Sequence, residues 1–60
     1  MGVYENVKNI LDAKKITVST FEKDLGLSKG SFYKWEKHSP SVKTVKKAAE
    51  YLGVSIAKIV

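Results

Sequence analysis

Hydroxyl groups and lysine side chains are concentrated in one short stretch of the chain, residues 28–34. Its polar members are Ser28, Lys29, Ser31, Tyr33 and Lys34. Ammonium groups donate hydrogen bonds and attract anions, hydroxyl groups both donate and accept, and Tyr33 adds an aromatic ring. Gly30 lies among them and would let the backbone approach another surface closely. These groups are suited to recognising a polar, negatively charged surface.

Bond-making chemistry has little support. The chain has no cysteine, and His38 is its single histidine, in a predicted surface turn. We find no nucleophile–base pair, and 60 residues could hardly enclose a pocket that excludes water. His38 cannot complete a zinc site without other strong ligands nearby. We therefore expect no enzyme, no metal, no cofactor and no small-molecule substrate.

Charge and length set the class of protein. Eleven basic residues against six acidic ones leave a net charge of +5, and every basic residue is lysine. This excess favours polyanionic partners. No apolar run is long enough to cross a membrane, and no signal-peptide pattern is present. We predict a single soluble, intracellular domain over residues 1–60, with no membrane partner.

The elements around the polar stretch predict two short helices joined at Gly26. Apolar residues spaced three and four apart give each helix one buried side. These residues are Val18, Phe21 and Leu25 in the first helix and Leu27, Phe32 and Trp35 in the second. Gly26 is expected to end the first helix in a left-handed conformation, and Ser28 to cap the second, with Gly30 inside it. A compact helix pair with a glycine-containing turn is typical of the helix-turn-helix motif.

Further helices would support this pair. Residues 3–15 predict a first helix, with its apolar stripe at Val3, Val7, Ile10 and Leu11. A helix capped by Ser41 and ended by Gly53 would bury Val42, Val45, Ala49 and Leu52, with Ala48 beside them. Ser55 is expected to cap a last apolar turn. Thr17 or Ser19 would cap the second helix, and Ser19 has the capping-box spacing to Glu22. The free amides at that helix start are also suited to binding a phosphate.

Three segments resemble the Cro and lambda-repressor type of helix-turn-helix domain. ITVSTFEKDLGLSKGSFYKWEK is similar to the central motif, SPSVKTVKKAAEYLGVS to the fourth helix and SIAKIV to the fifth. The resemblance covers nearly the whole chain. It implies an all-α, compact five-helix bundle and a phage or bacterial transcriptional regulator. It also implies a location in the cytoplasm of a bacterial or phage-infected host cell.

The resemblance also implies which residues contact double-stranded DNA. The helix that begins at Ser28 would read base edges in the major groove, where lysine can donate to guanine O6 and N7. The base-reading positions are Ser28, Lys29, Gly30, Ser31 and Lys34, with Tyr33 at the flank. The start of the second helix and the entry to the fourth would hold phosphates of the DNA backbone. The phosphate-binding positions are Thr17, Ser19, Lys37, His38, Ser41 and Lys43.

Several positions depart from the family pattern. Val18 stands where a glutamine is frequent, and Leu11 replaces a frequent arginine that pairs with the residue equivalent to Glu36. Glu22 replaces a small alanine, so we expect it to swing outward or to change the angle between the two helices. Gly30 removes a base-reading side chain. The segment between Glu36 and Pro40 is also shorter than in many relatives.

Two functions remain. One is a sequence-specific DNA-binding regulator, a repressor or Cro-like switch protein, acting as a homodimer on a two-fold operator. Its candidate dimer patch is Tyr51, Ile56, Ile59 and Val60, although these residues could instead close the core. The alternative is a small antirepressor or modulator that pairs with a repressor and blocks its DNA-binding surface. The acidic residues Glu22 and Asp24 near the reading face, the unpaired Glu36, and Tyr33 and Gly30 would suit such a protein partner.

Overall fold

The computed structural model describes residues 2–60. Its elements in chain order are α1 (Val3–Lys14), α2 (Val18–Leu25), the 3-10 helix η1 (Phe32–Glu36), α3 (Val42–Leu52) and the 3-10 helix η2 (Ile56–Lys58). The prediction of an all-helical fold is confirmed for these residues, which contain no strand. In place of five α-helices, they form three α-helices and two short 3-10 helices. The predicted domain, 1–60, includes Met1, which lies outside the described residues.

A threonine side chain sets the start of α2. Thr17 Oγ1 accepts a hydrogen bond from the backbone N–H of Thr20 at 3.1 Å. This bond satisfies one of the amides that the first turn of a helix leaves unpaired. Of the two candidate caps, Thr17 is therefore the one the structure supports. The predicted capping box from Ser19 to Glu22 is wrong, because Ser19 lies inside α2 and the Glu22 carboxylate bonds to another segment.

The start of α3 follows the prediction more closely. Ser41 Oγ accepts from the backbone N–H of Thr44 at 3.3 Å. Ser55 occupies the equivalent position before η2, but its side chain makes no capping hydrogen bond. The last turn therefore depends on its packing rather than on a side-chain cap.

All three α-helices end in the same left-handed motif. The C-cap residues have positive φ values, 59° at Lys15, 73° at Gly26 and 71° at Gly53. In each case the next amide donates back to a carbonyl near the helix end, which is the Schellman pattern. These bonds join Ile16 N–H to the Leu11 carbonyl (2.9 Å), Leu27 N–H to the Glu22 carbonyl (2.8 Å) and Val54 N–H to the Ala49 carbonyl (3.1 Å). Ile16, Leu27 and Val54 also pack against the core, so each helix end is tied to the tertiary structure.

An aromatic cluster forms the part of the core beneath η1. Phe21 and Phe32 are fully buried, and their ring centroids lie 5.4 Å apart in an edge-to-face arrangement. Trp35 packs edge-on against both rings, at 5.9 Å from Phe21 and 5.1 Å from Phe32. Such pairs add about 0.5–1.5 kcal/mol each beyond the burial of their area. They join α2 to η1, and the prediction that Phe32 and Trp35 face inward is confirmed.

The predicted apolar stripes are mostly correct. Val7 and Leu11 of α1 are buried, as are the stripe residues Val45, Ala49 and Leu52 of α3. Val3 and Ile10 of the α1 stripe are only half-buried, although they pack against the core. The clear exception is Val42, which was predicted to be buried and is 77% exposed. Val42 is the first residue of α3, and it belongs neither to the buried core nor to the partly buried residues packed against it. Ala48, predicted to lie beside the stripe, is fully buried.

Candidate nucleic-acid interface

The recognition segment, defined as residues 28–36, begins with a turn rather than with a helix. The backbone N–H of Ser31 donates to the Ser28 carbonyl at 3.0 Å, which closes a four-residue turn. Helical structure starts only at Phe32, and it is 3-10. The prediction of a helix beginning at Ser28 is therefore wrong, and the Ser28 side chain caps no helix.

Gly30 explains this difference. Its φ of +86° lies in the left-handed region, which a right-handed helix cannot include and which glycine adopts without strain. It occupies the third position of the turn, where a type II turn requires positive φ. Gly30 was expected inside a helix. It instead lets the chain turn before η1 begins.

A buried carboxylate holds the same turn. Glu22, on α2, is 4% exposed. Its Oε2 accepts from the backbone N–H of Phe32 at 2.9 Å, and its Oε1 accepts from that of Gly30 at 3.1 Å. Of the two outcomes expected for Glu22, the outward swing is wrong, because its side chain is buried and bonded to these two amides. Without it, the amides would lack an acceptor in a buried or half-buried position. The charge of the carboxylate is compensated by backbone dipoles.

The side chains predicted to contact DNA reach the surface. Lys29 and Lys34 are exposed, and Tyr33 is 55% exposed. Two positions in the turn are half-buried, Gly30 and Ser31. The remaining predicted positions are exposed, namely Thr17, Ser19, Ser28, Lys37, His38, Ser41 and Lys43. The recognition segment thus buries Phe32 and Trp35 and presents its cationic and hydroxyl groups to solvent.

The structure brings part of this set together around one groove. The groove has a volume of about 410 Å³ and is open to solvent. Its lining joins the start of α2 to the turn of the recognition segment: Thr17, Val18, Ser19, Glu22, Lys29, Gly30 and Tyr33, with Lys8 from α1. Predicted phosphate-binding and base-reading residues therefore share one surface. The other predicted positions do not line this groove, namely Ser28, Ser31, Lys34, Lys37, His38, Ser41 and Lys43.

Two lysines beside the groove were missed by the sequence interpretation. Lys8 belongs to α1. It lies at the groove edge, where its Nζ donates to Asp12 Oδ1 at 2.8 Å. This hydrogen bond raises the pKa of the Lys8 ammonium above its usual value. Lys23 lines a second, adjacent depression together with Lys29. No spacing rule could have found them, because they come from different helices than the recognition segment.

Comparison with known proteins agrees with this geometry. A family model described as helix-turn-helix matches residues 7–59. The chain belongs to the Cro/C1-type helix-turn-helix family. No curated protein and no solved structure gives a significant match to the chain. This helix-turn-helix protein is therefore a DNA-binding transcription regulator, and its family is not one of enzymes.

The candidate dimer patch of the helix-turn-helix protein is smaller than predicted. Ile59 is fully buried in the domain's own core, so its side chain is not available to a partner. Ile56 and Val60 are exposed and remain candidates. Among residues 2–60, no helix combines the length and apolarity that crossing a bilayer would require.

Tyr51 of the helix-turn-helix protein is half-buried and belongs to an internal contact. Its hydroxyl group donates to Asp24 Oδ2 at 2.6 Å, which connects α3 to the end of α2. This hydrogen bond, assisted by partial burial, raises the pKa of the Tyr51 phenol above its ordinary value. The ring also packs edge-on against Phe21 at 5.7 Å. Tyr51 is thus engaged in holding α2 against α3.

Proposed function

We propose that this protein is a sequence-specific repressor or Cro-like switch protein that reads the major groove of DNA with residues 28–36. The observation that carries the proposal is the division of this segment between two faces. Phe32 and Trp35 anchor it in the core, while Lys29 and Lys34 extend into solvent. A rigid element with outward donors is what base recognition requires.

The groove beside the segment supports the same function. It places the start of α2, where Thr17 caps the helix, beside Lys29 and Tyr33. Lys8 and Lys23 add positive charge along its borders. A DNA backbone that followed this groove would meet hydroxyl groups, free amides and ammonium groups while the recognition turn faced the bases. We assign the second phosphate contact to the exposed residues Lys37, His38, Ser41 and Lys43.

Useful affinity would require two copies. A domain of 60 residues covers only a half-site, so we propose a homodimer on a two-fold operator. Ile56 and Val60 are the exposed apolar residues near the chain end that could form the contact. Replacing Val60 with lysine should then weaken dimer formation, as measured by analytical ultracentrifugation, without changing Tm at concentrations at which wild type is monomeric.

The alternative function is a modulator that masks a repressor. The structure supports this alternative less than the sequence did. Of the three acidic residues expected to meet a basic partner, Glu22 is buried and Asp24 accepts a hydrogen bond from Tyr51, whereas Glu36 is exposed. Tyr33 and Gly30 are compatible with either partner. We therefore retain the DNA-binding regulator, and the experiment below distinguishes the two.

The decisive experiment is selection from a random duplex pool, followed by titration of the enriched duplex at several salt concentrations. A DNA-binding regulator should enrich one sequence and bind it more tightly than scrambled DNA, with affinity that falls as salt rises. Equal, weak binding to every duplex would contradict the proposal. A pull-down with a phage repressor would then test the modulator.

Two lysine variants test the division of labour within the interface. Lys34→Ala should weaken binding to the enriched duplex by about 1–3 kcal/mol and relax the preference at one base pair. Lys43→Ala should weaken binding to all duplexes alike and reduce the salt slope by about one. Lys58→Ala, outside the interface, is the control for loss of one positive charge. If Lys34→Ala matches this control, Lys34 contacts no base.

A further inference from the structure

Glu22 is a charged group whose burial the proposed DNA contacts do not explain. It is the only buried polar or charged side chain among residues 2–60. Within the same residues it has no cationic partner, since their one ion pair joins Lys8 to Asp12. Burying a carboxylate costs free energy unless its oxygens are hydrogen-bonded. Both oxygens of Glu22 are, and both bonds go to the backbone of the recognition segment.

These two bonds define the shape of the recognition turn. The amides of Gly30 and Phe32 donate to the two carboxylate oxygens, and the amide of Ser31, between them, donates to the Ser28 carbonyl. Three successive amides therefore have fixed acceptors. Two of those acceptors belong to α2, whose position is set by the core. The side-chain hydrogen bonds that hold the turn carrying Lys29 and Ser31 to α2 thus come from one residue, Glu22.

The same bonds remove these amides from the DNA-facing surface. Backbone N–H groups in a turn that contains a left-handed residue form a concave site that binds anions. Here the protein's own carboxylate occupies that site from the inner side. A DNA phosphate cannot use the amides of Gly30 and Phe32 while Glu22 holds them. Recognition by this turn therefore depends on the side chains of Lys29 and Ser31.

We infer that Glu22 is a positioning residue of the DNA interface. Its carboxylate sets the conformation of the recognition turn before DNA is bound and so contributes to sequence preference without touching a base. This inference rests on the proposed function. A turn held in its bound conformation loses less conformational entropy on binding, which favours the specific complex. Without the carboxylate, the turn samples other conformations and Lys29 loses its defined direction.

Amide hydrogen exchange tests the first half of this inference without DNA. In Glu22→Gln, one oxygen is replaced by a donor, so only one of the two amides keeps an acceptor. We expect at least one of the Gly30 and Phe32 amides to exchange roughly tenfold faster or more than in wild type, while the amides of α1 and α3 keep their protection. Glu50→Gln makes the same chemical change at an exposed position and should change neither. If the variant is poorly folded, the stabilising Lys15→Gly replacement described below is added to both proteins. Unchanged exchange at both amides overturns the inference.

A double-mutant cycle on DNA tests the second half, with the duplex enriched by wild type as the probe. Glu22→Gln should lose roughly threefold to tenfold in affinity for this duplex relative to scrambled DNA, at a temperature at which it is folded. The effect of Lys29→Ala should shrink in the Glu22→Gln background. The effect of Lys43→Ala, on a different element, should stay the same. A general loss of folding would reduce all affinities equally and would show no such selectivity.

The outcomes separate the inference from the function it rests on. If wild type enriches a duplex and the effects of Glu22→Gln and Lys29→Ala are additive, the positioning role is overturned and the DNA-binding function remains. If wild type enriches no duplex, the proposed function fails and the inference fails with it. Non-additivity confined to Lys29 supports both.

Discussion

Gly30 provides a test in which the sequence pattern and the tertiary structure predict opposite signs. A glycine inside a helix is less stable than alanine by about 1 kcal/mol, so Gly30→Ala would stabilise the domain if residues 28–36 were one α-helix. In the structure the φ of Gly30 is +86°, where an L-residue is disfavoured by about 1–2 kcal/mol. A Cβ at this position would meet nothing within 4 Å, so the cost comes from the backbone alone.

The expected magnitude follows from these two contributions. Alanine loses less freedom than glycine on folding, which offsets about 0.4–1 kcal/mol of the strain. We expect a net loss of about 1 kcal/mol for Gly30→Ala, equivalent to a fall in Tm of about 4–8 °C for a domain of this size. Thermal and urea unfolding followed by circular dichroism would measure it. An unchanged urea m-value would show that the effect is on stability alone.

Chemical synthesis of the 60-residue chain permits a matched control. D-alanine at position 30 prefers positive φ. It should therefore leave the free energy of unfolding unchanged or raise it by up to about 1 kcal/mol. Gly53→Ala, at a helix C-cap with φ of 71°, should destabilise whichever conformation residue 30 adopts. A rise in Tm for Gly30→Ala would refute the turn and would restore a helix starting at Ser28.

Three further predictions concern stability. Lys15→Gly should stabilise the domain by up to about 1 kcal/mol in urea unfolding, because it relieves the strain of a left-handed C-cap with φ of 59°. Lys14→Gly, inside α1, should destabilise the domain by about as much. Tyr51→Phe should have a lower Tm than wild type below pH 10. Because the folded-state pKa of Tyr51 is raised, this difference in Tm should disappear as pH rises through that pKa. A difference that stays constant with pH would contradict the hydrogen bond to Asp24. Trp35→Ala should lower the free energy of unfolding by about 3–5 kcal/mol. This is most of the roughly 3–9 kcal/mol of total stability expected for 60 residues. A cooperative unfolding transition near the wild-type Tm would contradict the position of Trp35 in the core.

The parts of the fold that depend on near neighbours in the chain could be predicted. Thr17 and Ser41 cap helices through amides three residues away, and Gly26 and Gly53 end them in the left-handed conformation. The burial of Phe32 and the order of the helices were predicted on similar grounds, from spacing and from the family resemblance. These features need no knowledge of how the helices pack. They determine the all-helical class and locate the candidate recognition segment.

The start of the recognition segment was decided by contacts between elements. Glu22 lies eight and ten residues before the amides it binds, so no helical spacing relates them. Local patterns therefore assigned the carboxylate to a capping box or to solvent. They likewise placed Gly30 inside a helix, because the pattern of its neighbours does not show that its amide bonds to Glu22 on α2.

The sequence alone determined which of these side chains reach solvent, since charge and apolar spacing separate Lys29 and Lys34 from Phe32 and Trp35. Only the tertiary structure decided the direction in which Lys29 and Lys34 extend. It also decided that Ile59 is buried while Val42 is exposed. The physical reason is that burial depends on which neighbours reach a position, whereas capping and helix periodicity are properties of the chain itself.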